Sequence, residues 1–187
     1  MKLEEIEREA FDAIEQDDFE SAFRILTPIA DERSAYALLT LGWMHDNALV
    51  VPEDKEVAQS YYIRAIDAGS LLACHRLGWL FLGQGNAQKA RDVFLKGAEQ
   101  GSISCMYEVG VMLLDGLGGG GDYRAGKNWL SIAADQGHFW SKRKLLGMQK
   151  QHENSYLRKL YINVRIFLLG IQGVVAHFRN PRSERHQ

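Results

Sequence analysis

Three times along this chain a small residue is followed four positions later by an aliphatic one and five later by a glycine. The three sets are Ala37, Leu41 and Gly42; Ala73, Leu77 and Gly78; and Cys105, Val109 and Gly110. After a loop, each tract is followed by a second pattern that ends on a closing glycine. A small residue lies eleven positions before that glycine and a large apolar residue seven before it: Ala58, Tyr62 and Gly69; Ala90, Phe94 and Gly101; Gly126, Leu130 and Gly137. Both patterns have helical spacing, so each copy reads as a pair of helices joined by a loop. One such pair cannot cover its own apolar side, and copies recurring every 32 to 36 residues must therefore stack on one another. The small residue and the first glycine mark the side of the first helix that a neighbour approaches closely. Each closing glycine is the left-handed position that ends a helix, and Ser70, Ser102 or His138 restarts the chain.

The 36 residues or so before the first copy follow the same logic imperfectly. Leu3 to Glu15 places Ile6, Ala10, Phe11 and Ile14 at helical period with a wet acidic face. Asp17 and Asp18 supply a turn and a cap, and Phe19 to Asp31 forms the second helix, with Pro28 in its last turn. Ala22 and Leu26 occupy the repeat positions, but Arg33 stands where the glycine belongs. This gives about four stacked pairs.

The repeated segments Ala37 to Gly69, Ala73 to Gly101 and Cys105 to Gly137 resemble the Sel-one-like repeat (SLR) family, a branch of the tetratricopeptide-type solenoids with longer, glycine-containing loops between helices. The third copy carries most of the resemblance: its glycine loop, Asp122-Tyr123 opening the second helix, Trp129-Leu130, and the closing run from Ala133 and Ala134 to Gly137 and His138. The second copy departs from it in having a shortened loop. The resemblance implies an all-α, right-handed α-solenoid of stacked antiparallel helix pairs, whose first helices line a concave surface and which serves as an adaptor or scaffold rather than a catalyst. A secreted branch of the family, linked to β-lactam binding, pairs cysteines in each repeat. This chain has two cysteines in all, Cys74 and Cys105, and those pairs are lacking.

With the first helices superposed on their glycines, the positions facing away from the small-residue seam can be compared. One after the glycine stand Trp43, Trp79 and Val111; two before it Thr40, Arg76 and Glu108; three before it Leu39, His75 and Tyr107; six before it Tyr36, Leu72 and Ser104. Trp, Tyr and Arg dominate binding hot spots. The candidate protein-binding residues are therefore Tyr36, Trp43, His75, Arg76, Trp79, Tyr107 and Glu108. The competing reading is that both Trp side chains are inter-repeat core, in which case they would be fully buried.

Other chemistry has little support. The run GLGGGG at 116–121 matches a dinucleotide-binding spelling, but that motif needs a preceding strand, and here an amphipathic helix precedes it. Cys74 and His75 are neighbours on a helix and point apart, so no metal site and no cofactor is expected. No Ser/His/Asp arrangement or paired carboxylate stands out, which leaves a hydrolase as a distant alternative. The N-terminus is acidic and lacks the apolar run of a secretory signal, so the expected location is the cytoplasm of a bacterium, with attachment to the cytoplasmic face of the inner membrane as a variant.

Charge divides the chain of 187 residues. Residues 1–60 carry 5 Lys and Arg against 15 Asp and Glu, whereas residues 138–187 carry 10 against 2. The acidic front argues against nucleic acid as the main partner, whereas the basic end suits acidic protein, anionic lipid or nucleic acid.

After Gly137 the register fails. His138 to Gln151 starts as another first helix, yet Gly147 falls one residue late and no repeat-type second helix follows. Tyr156 to Phe178 is a greasy helix whose polar members Asn163, Arg165, Gln172 and His177 do not share a face. Eleven Leu, Ile, Val and Phe from Leu160 to Phe178 contribute about −0.3 to −0.6 kcal/mol each to insertion, against about +2.5 to +3.5 for one central Arg. Spanning, lying on a membrane, capping the solenoid and packing into a partner all stay open. The residues assigned to such docking are Leu160, Arg165, Phe167, Leu168, Leu169, Phe178, Arg179 and Arg182. The organisation expected is an N-terminal hairpin over 1–33, three repeats over 34–137, a capping helix over 138–155 and a hydrophobic helix with a basic tail over 156–187. Partners are protein or peptide, with membrane contact through 156–187, and the oligomeric state is undetermined.

Overall fold

The computed structural model describes residues 2–31, 34–152 and 155–179, with the side chains of the last helix described as far as Gln172. All regular structure among them is helical. The chain forms two compact units, one ending at Gln100 and the other beginning at Gly101.

The first unit holds α1 (Leu3–Glu15), α2 (Phe19–Ala30), α3 (Ala35–Asp46), α4 (Lys55–Asp67), α5 (Leu71–Gly83) and α6 (Ala87–Glu99). Each helix packs antiparallel on the next. The second holds α7 (Ile103–Asp115), α8 (Tyr123–Asp135), α9 (Phe139–His152) and α10 (Tyr156–Arg179), also packed in sequence order. This is the α-solenoid arrangement of stacked helix pairs, present in both units.

The caps alternate along the repeats. First helices start on serine, with Ser34, Ser70 and Ser102 accepting from the backbone N–H of Ala37, Ala73 and Cys105. Second helices start on Asp54, Asn86 and Asp122, whose side chains accept from the N–H groups of their own first turns. Such caps satisfy donors that have no partner inside the helix. At the closing glycines the chain turns with φ +94° at Gly69, +100° at Gly101 and +97° at Gly137. Around Gly69, Ser70 N–H donates back to Ala65 O at 2.9 Å, as His138 N–H does to Ala133 O after Gly137, the six-to-one bond of a Schellman ending.

The two sequence patterns turn out to be the halves of one contact. Gly42 lies under the ring of Tyr62, Gly78 under Phe94 and Gly110 under Leu130, and all three large side chains are fully buried. A Cβ on Gly42 would stand 2.8 Å from Tyr62 Cδ1, and one on Gly110 2.8 Å from Leu130 Cγ, closer than carbon atoms pack. In the third copy the small residue of the second helix is also glycine, and a Cβ on Gly126 would meet Gly110 O at 2.8 Å. There backbone packs directly on backbone.

The same logic explains why the repeat stops. Counted from the cap, His138 occupies the place of Ser102, with its Nδ1 accepting from Ser141 N–H at 3.2 Å. Ser141 then takes the small-residue slot of Cys105 and is fully buried. Leu146 takes the slot of Gly110, and a leucine there closes the site to a second helix. The chain instead packs α10 on α9, with Ile162 2% exposed.

Candidate protein-binding surface

In the first unit the candidate residues on α3 have different surroundings. The Trp43 ring is half-buried, with an edge contact to Phe19 of α2 at 5.9 Å, so the N-terminal hairpin covers one side of it. Tyr36 is half-buried, and burial pushes its hydroxyl up to about 12, against an opposing pull from Thr40 and with help from Glu7 and Asp12. On α5, Trp79 stands 50% exposed. Its indole N–H donates to His75 Nε2 at 3.1 Å, which requires the neutral imidazole to carry its proton on Nδ1. Both rings lean on the buried Phe94, so the exposed indole is held by the repeat contact beneath it. Arg76, half-buried, acts electrostatically on Tyr62. Tyr62 donates to Asp46 Oδ2 at 3.1 Å, and burial together with the Asp46 charge pushes its hydroxyl well above the ordinary range.

In the second unit Tyr107 is half-buried against the His138 ring, 5.0 Å away. Burial, then Glu108 and Asp115, raises its pKa. Tyr107 also lines a groove of about 580 Å³ between α7 and α9, whose other walls include Asp115, Tyr123, Trp140, Arg143 and Lys144. Trp140 is 52% exposed, with the Arg143 guanidinium 5.6 Å from its ring centre, a cation–π pairing.

These α9 residues are absent from the sequence-based candidates because the superposition was anchored on glycine. Anchored on Leu146 instead, Trp140 falls six before, Arg143 three before, Lys144 two before and Gly147 one after. All four line the groove. The available signal was the cap, His138 followed by Ser141, spaced like Ser102 and Cys105.

The remaining motifs have structural surroundings. Cys74 and Cys105 are buried and in no disulfide, and burial raises the Cys74 thiol despite the charge of Lys96, which opposes thiolate formation. Among the described residues no group of three or more His, Cys, Asp or Glu is placed to hold a metal ion. The glycine run follows α7, which ends at Gly116 in the left-handed conformation. On α10, Leu160, Arg165, Phe167 and Leu168 are exposed and Leu169 is half-buried. The side chains of Phe178 and Arg179, and the whole of Arg182, lie outside the described residues. Among the described residues no helix is long and apolar enough to cross a membrane.

The Sel1 repeat family model matches three consecutive stretches, residues 35–70, 71–102 and 103–138. The chain belongs to the Sel1 repeat family. Its fold is similar to the crystal structure of a Sel1 repeat protein from Oxalobacter formigenes, with a TM-score of 0.66 and 21% identity over 70% of this chain and 55% of that one. It is also similar to a protective antigen of uropathogenic Escherichia coli strains that displays an SLR fold, with a TM-score of 0.64 and 24% identity over 81% of this chain and 37% of that one. The chain thus spans about half of the first and little more than a third of the second. Sel1 repeats are typically non-catalytic modules for protein–protein interaction.

Proposed function

We propose that this Sel1 repeat chain is a non-catalytic scaffold that binds a protein or peptide segment along the exposed side of its first helices, while α10 docks it to a membrane or a larger assembly. The supporting observation is the groove in the second unit. Four equivalent positions of α9 converge there with Tyr107 of α7, placing aromatic rings beside two cations. An extended segment with apolar and acidic side chains suits such a surface, because Trp and Tyr supply rigid contact area and Arg143 and Lys144 supply charge-assisted hydrogen bonds. In the first unit the exposed Trp79, with His75 and Arg76, offers the same chemistry. The hairpin 1–33 acts as the front cap, 34–137 as the repeat body and 138–155 as the rear cap.

The test is a peptide-display selection on the full chain, followed by affinity measurement for Trp140→Ala with Arg143→Ala, and separately for Trp79→Ala. Selected acidic–apolar peptides that lose at least about tenfold in affinity with either variant, at unchanged helix content, support the reading. Peptides indifferent to both variants overturn it.

A further inference from the structure

Helix α10 has two faces with opposite fates. Ile162 is buried against α9, with Ile166 and Leu169 half-buried on the same side. On the other side Leu157 (74% exposed), Leu160, Val164, Phe167 (68%), Leu168 and Ile171 stand in water. Their intervals of three and four residues place them on one arc of about 120°, running roughly 21 Å along the helix. Tyr156 and Tyr161 are exposed at its start. A contiguous apolar stripe of this size marks an interaction surface.

The charge on the last two helices has one sign. Neither α9 nor α10 carries an acidic residue, whereas Lys142, Arg143, Lys144 and Lys150 lie on the first and Arg158, Lys159 and Arg165 on the second. Arg158 and Arg165, seven apart, follow one edge of the stripe. Along that edge a cleft of about 970 Å³ separates α10 from α8 and α9. Arg165 and Lys127, exposed, stand at its mouth with Lys142 and Asp135, while Leu145, Leu146 and Leu169 lie deeper. A cleft that is apolar inside and cationic outside suits an amphiphile with an anionic head.

We propose that α10 lies in the plane of an anionic bilayer surface, with its bare stripe among the acyl chains and its basic edge and cleft on the lipid headgroups. This rests on the docking role given to α10 above and is independent of the peptide groove. A second copy is disfavoured as the occupant, because two such helices would bring like charges together with only Asp135 at each cleft to offset them. A folded acidic protein is disfavoured because the stripe is the ridge of a single helix, which a fluid acyl layer accommodates and a folded partner must match with a groove. Apolar burial and attraction to anionic lipid act together in such interfacial helices.

The experiment is flotation of the full chain with vesicles of phosphatidylcholine alone and of phosphatidylcholine mixed with phosphatidylglycerol, at low and high salt, with the oligomeric state measured in parallel. The expected result is binding to the mixed vesicles, weakened by salt, and no binding to the neutral ones. Leu160→Asp with Phe167→Asp abolishes binding, and Arg158→Glu with Arg165→Glu weakens it at least about tenfold, while circular dichroism shows both variants still folded. Absence from the mixed vesicles, or equal binding to both kinds, overturns the proposal. So does a dimer that the double-aspartate variant dissociates, or a soluble acidic protein that binds α10 in place of vesicles. In those last two cases the docking role survives and only the lipid assignment falls. If the double-aspartate variant alters neither vesicle binding nor assembly, the docking role falls too.

Discussion

Phe94 and Phe167 are the same residue on amphipathic helices of the same chain, and one is fully buried while the other is 68% exposed. Phe94 lies over Gly78, on a helix that has no side chain at the point of contact. Phe167 points away from α9, the helix on which α10 packs. The difference is not in hydrophobicity but in whether a facing helix has a vacant position. Repeat pairs close on themselves because glycine and a large residue face each other. Helix α10 cannot join in this way, since Leu146 fills the position that glycine occupies in the repeats, and its apolar side chains from Leu157 to Ile171 stay exposed on one side.

That contrast can be broken most severely at its buried end. Phe94→Ala is expected to destabilise the first unit by about 3–5 kcal/mol, and Phe167→Ala to stay within about 0.5 kcal/mol of the parent, both by chemical denaturation. Comparable losses at the two sites would show that α10 is not bare. Gly126→Ala, which drives a Cβ against Gly110 O, is expected to cost about 1–3 kcal/mol and to lower the melting temperature of the second unit. Backbone cannot swing aside as a side chain can.

A gentler perturbation concerns the loops. In the third repeat the left-handed positions Gly116 and Gly118 are glycines, whereas the first repeat holds Ala48 at φ +54° and Val50 at φ +66°. Both loops nevertheless end with the same bond, Asp54 N–H to His45 O at 3.0 Å and Asp122 N–H to Leu113 O at 2.9 Å. Val50→Gly is therefore expected to stabilise the first unit by about 0.5–1 kcal/mol, the relief of a β-branched residue in the left-handed region less the extra entropy of an unfolded glycine.

The smallest effect is one of pH. His45 stacks on Tyr61 at 5.6 Å, and burial lowers its pKa against an opposing pull from Asp54. The unfolded chain then binds more protons than the folded one between the lowered value and the ordinary one. Stability falls as pH drops through the ordinary histidine range toward that lowered value. His45→Gln should flatten that part of the profile in denaturation curves, and an unchanged slope would mean that the histidine is solvated.

Much of this was legible in the residues themselves. The glycine–large pairs, the serine and aspartate caps and the closing glycines follow from local geometry, because a helix end needs a cap and a tight crossing needs a missing side chain. The candidate surface was legible only where glycine marked the register. At α9 a leucine replaced it, so Trp140, Arg143 and Lys144 went unnoticed beside Tyr107. Trp43 and Trp79 occupy equivalent positions by spacing, yet Phe19 covers one side of Trp43 while Trp79 stands 50% exposed.

The amino-acid sequence by itself determined the helices, their pairing and the family, since each depends on residue types at fixed intervals within one copy. Tertiary structure alone decided which equivalent side chains are covered and that the final helix buries only one of its faces. Those outcomes depend on the shape of the neighbour, and whether a slot holds glycine or leucine settles what may pack there.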